Sequence, residues 1–378
     1  MEVFITKASG FFPNSPVSND EMESYLGMVG GKPSKARRIV LSRNGIKCRY
    51  YALDKEGKPT HTNAQMAANA VKGLLSEDLT IDDIDLLSCG TASPEQLIPS
   101  HGVMVHGLLG GNRNMEVVSF AGSCCTGVDA LKYAYMAVKL GDARNAVVSA
   151  SERLSAWMRS GYFQKESEYL SQLESQPLLA FQKEFLRWML SDGAFAVLLE
   201  NKPNPEGLSL RIDWIDITSF ANTKETCMYA GAEKQEDGSL KGWADFPEQE
   251  WLSKSVFALK QDTRILSGHI VKLGVDFLIQ MGEKHSFKAE DVDWFLPHLS
   301  SMFFKDMILE ESARRGFFIP DEKWFVNLPS VGNIASASAF AMLEELLYSG
   351  KLRKGQKILL MIPESARFSY CYCMLTVC

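Results

Sequence analysis

The sequence contains no run of about 18 apolar residues, so no membrane-spanning helix is expected. Its eight cysteines, at 48, 89, 124, 125, 227, 371, 373 and 378, follow no repeating spacing, which excludes both a disulfide framework and a C-x2-C metal pair. The first residues, MEVFITKASGFFPNSP, lack the charged-then-apolar order of a secretory leader. A reducing cytoplasm is therefore the expected compartment, where a thiol remains free and reactive. There is no excess of positive charge either; the net charge is −6, which argues against nucleic-acid binding. What is present is an ordinary globular balance, 46% apolar and 23% charged over 378 residues, long enough for two half-domains that share one interface.

The sequence repeats itself. AANAVKGLLSEDLTIDDIDLLSCG (67–90) parallels VDFLIQMGEKHSFKAEDVDWFLPH (275–298) without a gap. Each stretch reads as an apolar-periodic helix, a polar turn with D-x-D, and an apolar strand. At nearly the same shift, residues 117–150 parallel 325–362: a strand, a turn of small residues, a helix ending at a glycine (Gly141, Gly350), and a second strand. Helices alternating with continuous apolar strands predict an α/β fold with a parallel sheet covered on both faces. Two halves are expected, residues 1–205 and 206–378.

This duplication singles out three residues. Cys125 lies at the turn opening a helix in the first half, among Gly122, Ser123, Cys124, Thr126 and Gly127, and Asn333 lies at the equivalent turn in the second. Helix starts present unpaired N–H groups and partial positive charge, a setting that lowers a thiol pKa from about 8.5. Buried free cysteines are otherwise small hydrophobes, and of two adjacent cysteines one is expected to face the site and the other the sheet. His298 ends an apolar strand, where parallel sheets place ligands. His61, His101, His106 and His285 read as structural or solvated. A neutral imidazole and an asparagine amide together polarise a carbonyl without adding charge, which suits enolate formation rather than hydrolysis. Cys125 is read as the nucleophile, with His298 and Asn333 as its partners.

Along nearly its whole length the chain resembles the beta-ketoacyl carrier-protein synthase III (FabH-like) family of the thiolase superfamily. FFPNSPVSNDEME (11–23), NGIKCRYYA (44–52), GTASPEQLIPSH (90–101), DGAFAVLLE (192–200), PHLSS (297–301) and GNIASAS (332–338) carry the resemblance by their order and spacing. It implies a thiolase fold layered α-β-α-β-α, a homodimer, an acyl-cysteine intermediate, and neither metal nor organic cofactor. It also implies acyl carrier protein or coenzyme A thioesters as substrates, joined by Claisen condensation at Cys125, His298 and Asn333.

The departures from that family narrow the reading. An ungapped match puts Ile39 where bacterial starter synthases carry the tryptophan that stacks on coenzyme A adenine, which favours carrier-protein substrates. KPSKARR (32–38) is a basic stretch for such a partner or a solvated face. The glycine-rich C-terminal loop of the family reads PESARFSY (363–370) here, so Ala366 and Arg367 are expected at a reshaped acyl site. Ile98 stands where the long-chain Claisen enzymes that make olefin precursors or pyrones place a glutamate. An aromatic-rich insertion at about 155–190 is expected to form two helices, with Trp157, Phe163 and Phe185 as candidate acyl-tunnel residues. The N-terminal block looks most similar to DarB-type ketosynthases of dialkylresorcinol and flexirubin-type pigment pathways. That implies joining a beta-ketoacyl thioester and an unsaturated acyl chain to a 2,5-dialkylcyclohexane-1,3-dione. The alternatives are a starter synthase that condenses a primer with malonyl carrier protein, and a non-catalytic partner in a thiolase-fold heterodimer.

Overall fold

The computed structural model describes residues 1–34, 36–163 and 186–378. In chain order the elements that position the site are β1 (Phe4–Phe11), α1 (Asn63–Lys72), β2 (Leu86–Thr91), α2 (His101–Leu109), β3 (Glu116–Ala121), α3 (Thr126–Leu140), β4 (Asn145–Glu152), β5 (Gly193–Glu200) and β6 (Leu210–Ser219). Then follow α4 (Thr263–His285), β7 (Trp294–Pro297), α5 (Phe303–Arg314), α6 (Ser338–Tyr348), β8 (Lys357–Glu364) and β9 (Ser369–Val377). Local chemistry sets their ends. The Thr62 hydroxyl accepts the Gln65 N–H while the Gln65 amide oxygen accepts the Thr62 N–H, a reciprocal cap on α1. The Asp262 carboxylate caps α4, and Gly141, at φ 82°, closes α3 in the left-handed conformation.

Strands run in the order β7-β8-β9-β6-β1-β5-β4-β2-β3. In the first half β2 is parallel to β3 and β4, while β4–β5 and β5–β1 are antiparallel. The second half repeats this order: Trp324 bridges β7 in parallel, β7 is parallel to β8, and β8–β9 and β9–β6 are antiparallel. The turns Ile81–Asp83 and Ala289–Asp291 before β2 and β7 are the D-x-D turns of the sequence repeat. The two sets meet edge to edge through Phe4–Arg211 and Ile5–Leu210. Helices α3 and α6 lie between the two sets of strands, α1 and α2 cover one outer face, and α4 and α5 cover the other. This is the layered thiolase-fold arrangement.

Two expectations are corrected. The sheet is mixed rather than parallel, because β1, β5, β6 and β9 pair antiparallel with their neighbours. The strand expected from residue 325 shrinks to the Trp324 bridge and the Phe325 N–H bond to the Phe295 carbonyl, since Pro329 lies in the short helix Leu328–Val331 that follows. The described ends of the 155–190 insertion are single 3-10 turns, Leu154–Trp157, Ser160–Phe163 and Leu186–Trp188; residues 164–185 lie outside the described residues. Helix α4 is long and apolar enough by length and composition to cross a membrane. It is instead a packing helix here: the Tyr370 and Tyr372 hydroxyls of β9 donate to its Ile270 and Gly274 carbonyls.

Candidate active site

The starts of α3 and of the 335–348 helical segment abut because the contact is made by small residues. A Cβ built on Gly127 would lie 2.5 Å from the Ser336 carbonyl and 2.9 Å from the Phe340 ring. Two helix starts therefore converge on one cavity of about 220 Å³. Cys124 from the turn before α3, His298 from the end of β7 and Asn333 from the turn before Ala335 all line it. Most of the remaining wall is apolar, with Leu154, Trp157, Leu190, Ile270, Phe304 and Met361 among its side chains.

Each polar member is held from behind. The Asn333 N–H donates to the Met189 carbonyl and its carbonyl accepts the Ser191 N–H (2.9 and 2.8 Å). Its side-chain oxygen accepts the Ala335 N–H at 2.9 Å, which leaves the amide donors for a ligand. Gly332 precedes it at φ 73°, with the Arg49 and Ser191 Cβ atoms 2.8 Å from where a Cβ would sit, so glycine is required there. The His298 N–H bonds the Met361 carbonyl of β8 at 2.7 Å. Its imidazole is buried, its Nδ1 has no hydrogen-bond partner among the described residues, and burial lowers its pKa to about 4. At neutral pH it is a neutral donor–acceptor ring.

Cys125 is not among the residues that line the cavity. Its thiol points back to the Ile362 carbonyl of β8 at 3.5 Å, and its N–H donates to the Glu364 carboxylate at 3.1 Å. Facing the cavity is its neighbour Cys124, with the Ser123 hydroxyl 3.7 Å from its sulfur. Nor is either thiol acidified by the helix start. Burial and then the Glu364 charge push Cys124 up to about 12 and Cys125 well above the usual thiol range. Glu364 itself is raised by burial and then by Asp129, against the N–H bonds of Cys125 and Ser123.

Of the other expected residues, Trp157 and Ala366 line the cavity. Phe163 is buried elsewhere, in a small cluster with Val29 and Ala258, and the Arg187 guanidinium lies 5.8 Å from its ring centre. Arg367 is exposed and donates to the Lys224 carbonyl at 2.9 Å. Phe185 lies outside the described residues. Sequence reasoning missed the segment 228–230 with Leu259 and Gln261, which covers the cavity; Cys227 and Met228 donate to the Ala366 carbonyl, and the Gln261 amide donates to the Ser365 hydroxyl at 2.7 Å. No repeat or motif marks that segment. Glu152 is the other buried carboxyl near the site. It accepts from Ala92, Ser93 and Ser336, so it ties the two halves together, and burial raises it to about 7. No group of three metal-ligating side chains occurs among the described residues.

Residues 283–362, which contain both His298 and Asn333, match the family described as 3-oxoacyl-[acyl-carrier-protein] synthase III C terminal. A beta-ketoacyl-[acyl-carrier-protein] synthase III of Clostridium perfringens is 23% identical over 93% of this chain and 92% of its own. One from Deinococcus deserti is 26% identical over 94% and 86%. Among solved structures, OleA of Xanthomonas campestris with bound lauric acid and lauroyl-CoA superposes with a TM-score of 0.76 at 19% identity, covering 100% and 99% of the two chains. The tetronic acid condensing enzyme AbyA1 superposes at 0.73 and 19%, covering 99% of each. The fold is that of the thiolase superfamily, and the protein is an acyl-transferring condensing enzyme. More particularly, it is similar to ketosynthases of the FabH-like, 3-oxoacyl-carrier-protein synthase III type.

Proposed function

We propose that Cys124, rather than Cys125, carries the acyl group, and that His298 and Asn333 hold the carbonyl of the second thioester. The observation behind this reading is that these three side chains, and not Cys125, line one largely apolar cavity. Attack of the Cys124 sulfur on an acyl thioester forms the acyl-cysteine and expels the carrier thiol. The second thioester's oxygen then receives the neutral donors of His298 and Asn333 as its alpha carbon becomes nucleophilic. That carbon attacks the acyl-cysteine carbonyl, the carbon–carbon bond forms, and the Cys124 sulfur leaves. The apolar wall suits alkyl chains, and OleA, with bound lauric acid and lauroyl-CoA, shares the fold.

The substrates we propose are acyl carrier protein or coenzyme A thioesters, in a reducing cytoplasm where all eight cysteines stay free. The product we propose is the DarB-type 2,5-dialkylcyclohexane-1,3-dione, made from a beta-ketoacyl thioester and an unsaturated acyl chain. Support comes from the glycine-free loop at Ser365 and Ala366, which shapes the wall beside Cys124 differently from the glycine-rich loop of the starter synthases it resembles. The names of the sequence relatives favour a second reading, condensation of a primer with malonyl carrier protein. Incubation with both substrate pairs separates the two by mass spectrometry. A cyclic dione is expected, with the carboxyl carbon of the beta-ketoacyl thioester lost as carbon dioxide after thioester hydrolysis; a linear beta-ketoacyl product with carbon dioxide released from malonyl thioester overturns the dione assignment.

A further inference from the structure

We infer that the Ser365 hydroxyl, oriented by Gln261, is a specificity-determining donor that selects beta-ketoacyl thioesters over acyl thioesters with no oxygen on the chain. This rests on the reading of the cavity as the acyl site and names the substrate class that the site is built to recognise. Both side chains lie on a wall that is mostly apolar, and both come from segments other than those of Cys124, His298 and Asn333. Gln261 is buried. A polar pair in such a wall costs desolvation free energy that an apolar pair of similar size would not.

Backbone contacts fix the pair in place. Gln261 and Met228 face each other across a two-stranded antiparallel ribbon, Met228–Tyr229 with Lys260–Gln261. Ser365 opens the turn 365–368 between β8 and β9, and the Ala366 carbonyl beside it accepts the Cys227 and Met228 N–H groups at 2.9 and 3.2 Å. Ribbon and turn are thereby tied together. Across them the Gln261 amide donates to the Ser365 oxygen at 2.7 Å. That bond occupies a lone pair and leaves the hydroxyl proton to be given elsewhere. The acceptor it meets is the Met228 thioether, 3.8 Å away, and a thioether is a weak acceptor. No other acceptor for this proton occurs among the described residues. Ser365 also directly follows Glu364, whose carboxylate accepts the Cys125 N–H at 3.1 Å, so it stands beside the turn that carries Cys124. The chain carbons near that turn are those next to the thioester, where a beta-keto oxygen lies. Such an oxygen is a stronger acceptor than sulfur, whereas a methylene in its place leaves the hydroxyl poorly paired. A site built to hydrogen-bond a substrate oxygen rejects the analogue that lacks it for this reason.

The test is calorimetric binding to the full-length protein of two unreactive pantetheine amides, octanoyl and 3-oxooctanoyl, in which an amide nitrogen replaces the thioester sulfur. The 3-oxo analogue is expected to bind roughly tenfold more tightly, the effect of one well-placed hydrogen bond. Ser365→Ala should abolish that preference and leave the octanoyl affinity unchanged, whereas Ser365→Thr, which keeps the hydroxyl, should retain it. Gln261→Leu should lower the preference without weakening the octanoyl analogue; an unchanged preference contradicts the orienting role. Equal binding of the two analogues by the unaltered protein, no binding of the 3-oxo one, or a preference that survives in folded Ser365→Ala overturns the inference. Protection of Cys124 from iodoacetamide, followed at peptide level in the same titrations, tests the underlying reading separately. Binding that leaves Cys124 unprotected defeats the acyl-site reading, whereas protection by both analogues with equal affinity defeats only this inference.

Discussion

At the residue scale the site works by leaving polar groups neutral. His298 is buried with a lowered pKa of about 4, and Asn333 carries no charge, so in the proposed condensation the pair would offer donors to a developing enolate oxygen without an ion to desolvate. The pH consequence has a definite sign. His298 stays neutral until the pH falls through about 4, so condensation from preformed acyl-enzyme should show no loss near 6.5, the ordinary imidazole value. Single-turnover rates between pH 5 and 7.5 check this. His298→Ala should still acylate but condense about 10²- to 10³-fold more slowly, the usual effect of removing one oxyanion donor. The choice between Cys124 and Cys125 was not legible in the sequence. The two residues are identical in type, and only the rotation of the turn relative to β8 decides which sulfur meets the cavity and which meets the Ile362 carbonyl.

At the element scale the site depends on two helix starts meeting without side chains between them. Gly127→Ala places a methyl 2.5 Å from the Ser336 carbonyl, a contact that must push the start of α3 from the Asn333 turn. A destabilisation of about 1–3 kcal/mol is expected from such overpacking, measured by urea unfolding, together with slower acylation. The repeat that brings these helices together was legible because period and turn chemistry survive duplication. The D-x-D turns before β2 and β7 and the helices α3 and α6 fall where the two alignments put them. The antiparallel strands were not, because a fully buried apolar strand reads the same in either direction. Phe163 misled for a related reason: an aromatic side chain reads alike whether it fills a core or lines a cavity.

At the scale of the whole molecule, β3 is an edge strand of the sheet. It is half-exposed although its middle residues are VVSF, and Leu97 and Ile98 beside it are 73% and 88% exposed. Unpaired strand edges invite pairing, and we propose that a second copy covers this one to make a homodimer. Light scattering should give twice the 42.1 kDa chain mass, and Leu97→Asp with Ile98→Asp should return it to one chain. A monomer in the unaltered protein contradicts the dimer.

The account as a whole stands on which sulfur carries the acyl group. Intact mass after incubation with an acyl thioester measures this directly in the unaltered protein, Cys124→Ala and Cys125→Ala. Acylation lost in Cys124→Ala and kept in Cys125→Ala is the predicted result; the reverse pattern, or acylation that survives both substitutions, contradicts it.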